Sequence, residues 1–168
     1  KIRSSAQGLF MMMSNGFGAF FGGLISGIEI EKYFSLVLFN FLFSNGDAHL
    51  KNFAVLESAS GDYLLSPAYD LINTRLHVSD TNFALNGGLF PKEMRTDHYC
   101  KTGDPNKIDF IEFAKAIGVQ ESRIAKLMEI FLKKDSKVEK LISNSFLSQS
   151  SKKGYLINYN TRLNILNS

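Results

Sequence analysis

The 168-residue, 18.8 kDa chain has the length of one domain, and at 45% hydrophobic with 15 Phe it has enough apolar side chains to bury a core. Only 21% of residues are charged, which excludes disorder over most of its length. Its single cysteine, Cys100, excludes an intrachain disulfide and a cysteine-based zinc site, and His49, His77 and His98 lack metal-ligand spacing, so a reducing, cytoplasmic setting is expected.

The net charge of +3 is unevenly spread: residues 1–90 carry 5 Lys/Arg against 7 Asp/Glu, and residues 91–168 carry 14 against 9. The basic half reads either as solvated helix faces or as a face that meets an acidic partner or nucleic acid, although no nucleic-acid-binding motif accompanies it.

In chain order, residues 1–27 form an apolar segment of unclear role. Its run LFMMMSNGFGAFFGGLI (residues 9–25) is too short for a spanning helix, is broken by Ser14, Asn15 and several glycines, and lacks the tight apolar region and cleavage site of a signal peptide. It therefore reads as a loosely structured, partner-facing or misplaced apolar segment, with no membrane role. From Ile28 to Ser44 the apolar residues predict a buried central helix, with Glu29 and Glu31 in its first turn and a stop at Ser44-Asn45-Gly46. Phe53–Glu57 and Tyr63–Ser66 predict a short hairpin, after which Pro67 turns the chain toward Tyr69-Asp70. Leu71–Leu76 reads as a short helix, Asn86-Gly87-Gly88 as a turn, and Thr102–Pro105 as a loop. Asp109 as N-cap, Glu112 three residues on and Gly118 as the stop predict a helix with Phe110, Phe113, Ala114 and Ile117 on one face. The next helix starts near Ser122, with Ile124, Leu127, Met128, Phe131 and Leu132 inward and Lys126, Lys133, Lys134 and Lys137 outward. Residues 145–154 read as a loop, and 155–168 as a last helix or a ragged tail.

The chemistry concentrates in NGDAHLKN (residues 45–52) and SPAYDL (66–71). Asp47 precedes Asn52 with the spacing D-x-x-x-x-N, and a hairpin returns the chain so that Asp70 can meet Asn52. A carboxylate that accepts a hydroxyl proton, with an amide oxygen and a second carboxylate on Mg²⁺, suits phosphoryl transfer, and the spacing is that of the protein-kinase catalytic loop. The bare pair also fits an ordinary helix-ending turn.

DAHLKN and PAYDL, followed by FALNGG (83–88) and DFIEFAKAIGV (109–119), resemble the C-terminal kinase region of the HipA family, the serine/threonine kinases of bacterial toxin–antitoxin pairs; the resemblance covers roughly residues 30–130. It implies a mainly α (α+β) fold, a protein-kinase-like C-lobe over residues 28–145 with a small hairpin between the catalytic loop and the metal-binding Asp. Residues 146–168 then form a tail packed on that lobe. It also implies ATP and Mg²⁺ as cofactors, Asp47 as catalytic base, and Asn52 and Asp70 as metal ligands. Lys51 either neutralises charge on the transferring phosphoryl group or pairs with a nearby carboxylate. His49 and Tyr69 either line the nucleotide side or pack the loop on the hairpin. By family, the partners are a protein substrate, aminoacyl-tRNA synthetases among them, and an antitoxin-like protein.

The departures bear on activity. No G-x-G-x-x-G loop and no strand lysine of the V-A-I-K kind precede residue 28, and the chain begins with Lys1. An N-lobe is therefore expected from a second polypeptide or from a longer chain. Two rivals follow: a degenerate lobe kept as an interaction module, and a small-molecule phosphotransferase of the aminoglycoside or choline kinase type. In the second, Asn45 stands where the usual H-G-D histidine would be, and Tyr69-Asp70-Leu71 replaces an I-D-W-like sequence.

Overall fold

A computed structural model describes residues 27–79, 81–83 and 88–168. The apolar segment at 9–25 and most of the Asn86-Gly87-Gly88 turn lie outside those residues. Mainly helical, the fold carries one two-stranded antiparallel sheet. In order come α1 (Gly27–Leu42), a 3₁₀ turn Leu50–Asn52, β1 (Val55–Glu57), β2 (Tyr63–Leu65), 3₁₀ turns Thr74–Leu76 and Lys92–Met94, α2 (Asp97–Thr102), α3 (Lys107–Ala116), α4 (Glu121–Leu132), α5 (Ser136–Ser143) and α6 (Gln149–Leu166).

α1 is central because it is apolar on most sides. Tyr33, Phe34, Val37, Leu38 and Phe41 are buried with Phe110, Phe113 and Ala114 of α3 and with Ile124, Leu127 and Met128 of α4. Aromatic contacts lock the layers: Phe41 meets Phe110 at 5.2 Å, and Phe43 stacks on Tyr159 of α6 at 5.5 Å. Tyr33 meets Phe53 edge to face at 5.2 Å, which ties the chain leaving the Leu50–Asn52 turn to the helix that precedes it. Across the hairpin Val55 pairs with Leu65 and Glu57 with Tyr63. The buried Glu29 carboxylate accepts from the Leu65 amide at 2.6 Å and from Lys32 Nζ at 2.7 Å, so the first turn of α1 holds β2 in place.

Several elements depart from expectation for local reasons. The N-cap of α3 is Asn106, and Asp109 is its N3 partner: Asn106 Oδ1 accepts from the Asp109 amide at 3.4 Å and Asp109 Oδ2 accepts from the Asn106 amide at 3.0 Å, a reciprocal capping box, while Asn106 Oδ1 also accepts from the Ile108 amide at 2.9 Å. The 71–76 segment is helical only over Thr74–Leu76. The helix expected from Ser122 to about Lys137 stops at Leu132, because Asp135 caps a separate helix by accepting from the Lys137 amide at 2.8 Å. Residues 149–154 are helical, Ser148 serving as the N-cap of α6 by accepting from the Ser151 amide at 3.1 Å. α6 packs on α1, α4 and α5, and buries Tyr159, Arg162, Leu163 and Leu166.

The basic C-terminal half is partly neutralised within the fold. Lys115, Lys133 and Lys134 pair with Glu112, Glu129 and Glu139, and Arg123 grips Glu31 with both arms at 2.8 and 2.9 Å. Among the described residues no helix is long and apolar enough to cross a membrane.

Candidate active site

The end of α1 sets the site. Ser44 takes a left-handed conformation (φ 57°), and the Asn45 amide donates back to the Asn40 carbonyl at 2.8 Å, the closing bond of a helix-terminating turn with serine where glycine is usual. A left-handed serine costs about 1 kcal/mol, and the turn is held by Thr74. The Thr74 hydroxyl donates to the Ser44 carbonyl at 3.2 Å and accepts from the Gly46 amide at 2.9 Å, while the Thr74 amide donates to the same Ser44 carbonyl at 3.1 Å. The turn that launches Asp47 is thereby fastened to the segment that follows Asp70.

Asn45 makes the second tie. Buried at 3% exposure, its amide nitrogen donates to Asn40 Oδ1 and to the Asp70 carbonyl, both at 3.0 Å, so that its two N–H groups are spent. Asp70 is itself left-handed (φ 55°), a conformation uncommon outside glycine and one that turns its side chain back toward the loop. Asn52 Nδ2 donates to Asp70 Oδ2 at 3.1 Å and reaches the Asp47 carbonyl at 3.4 Å. The hairpin thus brings Asn52 and Asp70 together, with Asp47 exposed beside them.

Two adjacent ligands of an octahedral Mg²⁺, each about 2.1 Å from the ion, stand roughly 3 Å apart. The Asn52 and Asp70 side-chain ends already have that separation, 3.1 Å, and both side chains reach the surface. One half-turn of the Asn52 amide exchanges its N–H₂ for its oxygen and converts a hydrogen-bonded pair into an amide-plus-carboxylate donor set of the hard kind that Mg²⁺ prefers. The donor set therefore fits the ion. No group of three or more His, Cys, Asp or Glu side chains gathers as a metal cluster among the described residues.

The other site residues fall around this pair. The Tyr69 hydroxyl donates to the Lys51 carbonyl at 2.6 Å, so Tyr69 braces the loop while its ring stays 46% exposed. The Lys51 side chain is exposed, and no carboxylate among the described residues pairs with it. The His49 amide donates to the Asp47 carbonyl at 2.7 Å, and its Nδ1 is buried without a hydrogen-bond partner. Sequence reasoning missed Asn40 and Thr74, and read Asn45 as part of a helix-ending turn and as the residue in place of the H-G-D histidine, not as a tie to Asp70. A signal existed in Asn40, an amide inside the otherwise apolar stretch LVLFNFLF, since a buried amide requires a polar partner.

A separate cleft of about 490 Å³, lined in part by Arg75, Arg95 and Asp104, shares no lining residue with the Asp47–Asn52–Asp70 cluster.

A Haemophilus influenzae protein carrying a provisional kinase designation is 28% identical over 148 residues, which covers 82% of this chain and 42% of that protein. A stretch of 32 residues, 19% of the chain, is 59% identical to the nucleoside permease NupG of Escherichia coli and of Shigella flexneri, and covers 8% of each permease. The chain thus spans less than half the length of these curated relatives. The family model described as HipA-like C-terminal domain matches residues 22–138, and the chain belongs to that kinase-like family.

Proposed function

We propose that this chain is the C-terminal lobe of a HipA-like serine/threonine protein kinase that transfers the γ-phosphoryl group of ATP to a protein hydroxyl. The observation that carries the reading is the Asn52–Asp70 contact at 3.1 Å, made beside Asp47 by an aspartate held in a left-handed conformation. Strain of this kind is kept where a side chain has to be aimed.

Asp47 sits on the exposed edge of a fastened turn, where its carboxylate orients the substrate hydroxyl and accepts its proton as the oxygen attacks. Asn52 Oδ1 and the Asp70 carboxylate would hold Mg²⁺, which would supply charge neutralisation for the triphosphate. Lys51, exposed on the same 3₁₀ turn, supplies a positive charge to the transferring phosphoryl group, and His49 and Tyr69 line the nucleotide side. The clamp on the other side of the nucleotide belongs to an N-lobe, provided in the same longer protein or in trans. An antitoxin-like protein and a cytoplasmic protein substrate complete the setting.

The test is transfer of label from γ-³²P-ATP to serine or threonine in a protein substrate, with the chain joined to or mixed with its N-lobe. Asp47→Asn, nearly isosteric but unable to take the proton, is expected to abolish labelling while its circular dichroism spectrum matches the wild type. Equal labelling by the two proteins would remove Asp47 from catalysis. A lack of labelling with every N-lobe tried would favour an interaction module.

A further inference from the structure

The corner where α5 meets α6 carries charge of one sign. Glu139 is the last acid of the sequence, so residues 140–168 contain no Asp or Glu. The nearest acids before it are engaged: Glu139 pairs with Lys134, Glu129 pairs with Lys133, and Asp135 accepts from the Lys137 amide. Lys137, Lys140 and Lys153 are exposed, and no ion pair among the described residues holds them. The fold brings these lysines beside two apolar side chains that face water. Val138 packs on the cluster of Leu42, Tyr159 and Leu163, and Ile142 is buried, which fixes the inner side of α5. Lys137, Lys140 and Leu141, at i, i+3 and i+4, share the outer side, and Leu141 is 71% exposed. Lys152 Nζ donates to the Ser143 carbonyl at 2.7 Å, so the first turn of α6, with Lys153 next in sequence, is drawn against the end of α5. Between the two helices Phe146 is fully exposed.

Such a corner suits a surface that offers negative charge and hydrocarbon together, and residue type separates the candidate occupants. Protein interfaces are enriched in arginine and aromatic residues and depleted in lysine, and arginine is the residue of choice for nucleic-acid phosphates. Here the one arginine among residues 124–168, Arg162, is buried. Lysine combined with Phe and Leu is the pairing of a bilayer interface, where ammonium groups meet headgroup phosphates and apolar tips enter the acyl boundary. A projecting phenylalanine needs no matching pocket in lipid. We propose that the α5–α6 corner docks peripherally on a bilayer surface rich in anionic phospholipid, with Lys137, Lys140 and Lys153 at headgroup level and Leu141 and Phe146 inserted. Docking of this kind requires no spanning helix. The inference does not depend on the kinase reading, since none of its residues belongs to the Asp47–Asn52–Asp70 cluster.

The test is cosedimentation of the full chain with vesicles of phosphatidylcholine alone and with vesicles of equal parts phosphatidylcholine and phosphatidylglycerol. The mixed vesicles should be bound tenfold or more tightly than the neutral ones, and less so as salt rises. Phe146→Ser, and Lys140→Glu combined with Lys153→Glu, should each weaken that binding tenfold or more. All three positions are exposed, so the circular dichroism spectra should match the wild type. Lys101→Glu, an exposed charge reversal on α2, should bind as the wild type does. Binding supplied by the apolar run at residues 9–25 would survive every one of these substitutions. The proposal is overturned if neutral and mixed vesicles are bound equally, or if the Phe146 and lysine variants both bind like wild type. Tighter binding of polyglutamate or of a single-stranded oligonucleotide than of the mixed vesicles, at equal charge concentration, also overturns it and assigns the corner to an acidic protein or to nucleic acid.

Discussion

The side-chain amide of Asn45 donates to the main-chain carbonyl of Asp70 at 3.0 Å, across 25 residues of chain. This bond joins the end of α1 to the aspartate that faces Asn52; its donor, Asn45, is buried, and the bond as a whole is part-buried. Asn45→Ala leaves the Asp70 carbonyl and Asn40 Oδ1 without their donor. The expected cost is about 2 kcal/mol, read as a lower denaturant midpoint with an unchanged slope, together with weaker Mg²⁺ binding.

Asp70 offers a test in which stability and function separate. Its φ of 55° suits glycine, so Asp70→Gly relieves about 1 kcal/mol of backbone strain while giving up one exposed hydrogen bond to Asn52. Thermal unfolding of Asp70→Gly is expected to occur at or above the wild-type midpoint, with Mg²⁺ binding and phosphoryl transfer lost. Asp70→Ala should lose function equally and be less stable than the glycine variant.

Thr74→Val keeps shape and removes the hydroxyl that bridges Ser44 and Gly46. The buried Gly46 amide then has no acceptor, at an expected cost of about 2 kcal/mol. Hydrogen exchange should report the local effect: the amides of Gly46 and its neighbours lose protection before those of α3 do.

Glu29 makes the hold of α1 on β2 sensitive to acid. Burial pushes its pKa up, but the hydrogen bonds from Lys32 and the Leu65 amide, with the Lys32 charge, hold it below the ordinary carboxylate value of 4.5. A carboxyl group with a depressed folded-state pKa contributes stability that is complete above the unfolded-state value and is lost as pH falls through the folded-state one. Wild type should therefore lose stability below about pH 4.5, in a window that Glu29→Gln lacks. Equal acid dependence of the two proteins in urea titrations at stepped pH would contradict this.

Much of this fold was legible because its strongest signals are local. The apolar run of α1 ending in Ser44-Asn45-Gly46, the face of Phe110, Phe113, Ala114 and Ile117, and the stop at Gly118 (φ 90°) all read directly from residue spacing. α6 was harder. Its first two turns are polar and contain Gly154, which reads as a breaker, but there a Cβ would stand 3.3 Å from Leu76 Cδ2, so the glycine lets the helix lie close to the Thr74–Leu76 turn. The capping of α3 was misread by one turn because Asn106 and Asp109 are both good cap residues, and their reciprocity shows only in three dimensions. The approach of Asn52 to Asp70 was legible from the returning hairpin. The ties that aim them, from Asn45 and Thr74, connect positions 25 to 30 residues apart, beyond the reach of local pattern.

The most direct measurement is paramagnetic broadening of the backbone amide spectrum as Mn²⁺ with ADP is added in substoichiometric steps, since it detects even weak binding by a single lobe. Signals of Asp47, Asn52 and Asp70 should broaden first, and Asp70→Asn and Asn52→Ala should each lessen the effect at those positions by tenfold or more in ion concentration. Broadening centred elsewhere, or unaltered in both variants, would contradict a shared metal site on Asn52 and Asp70.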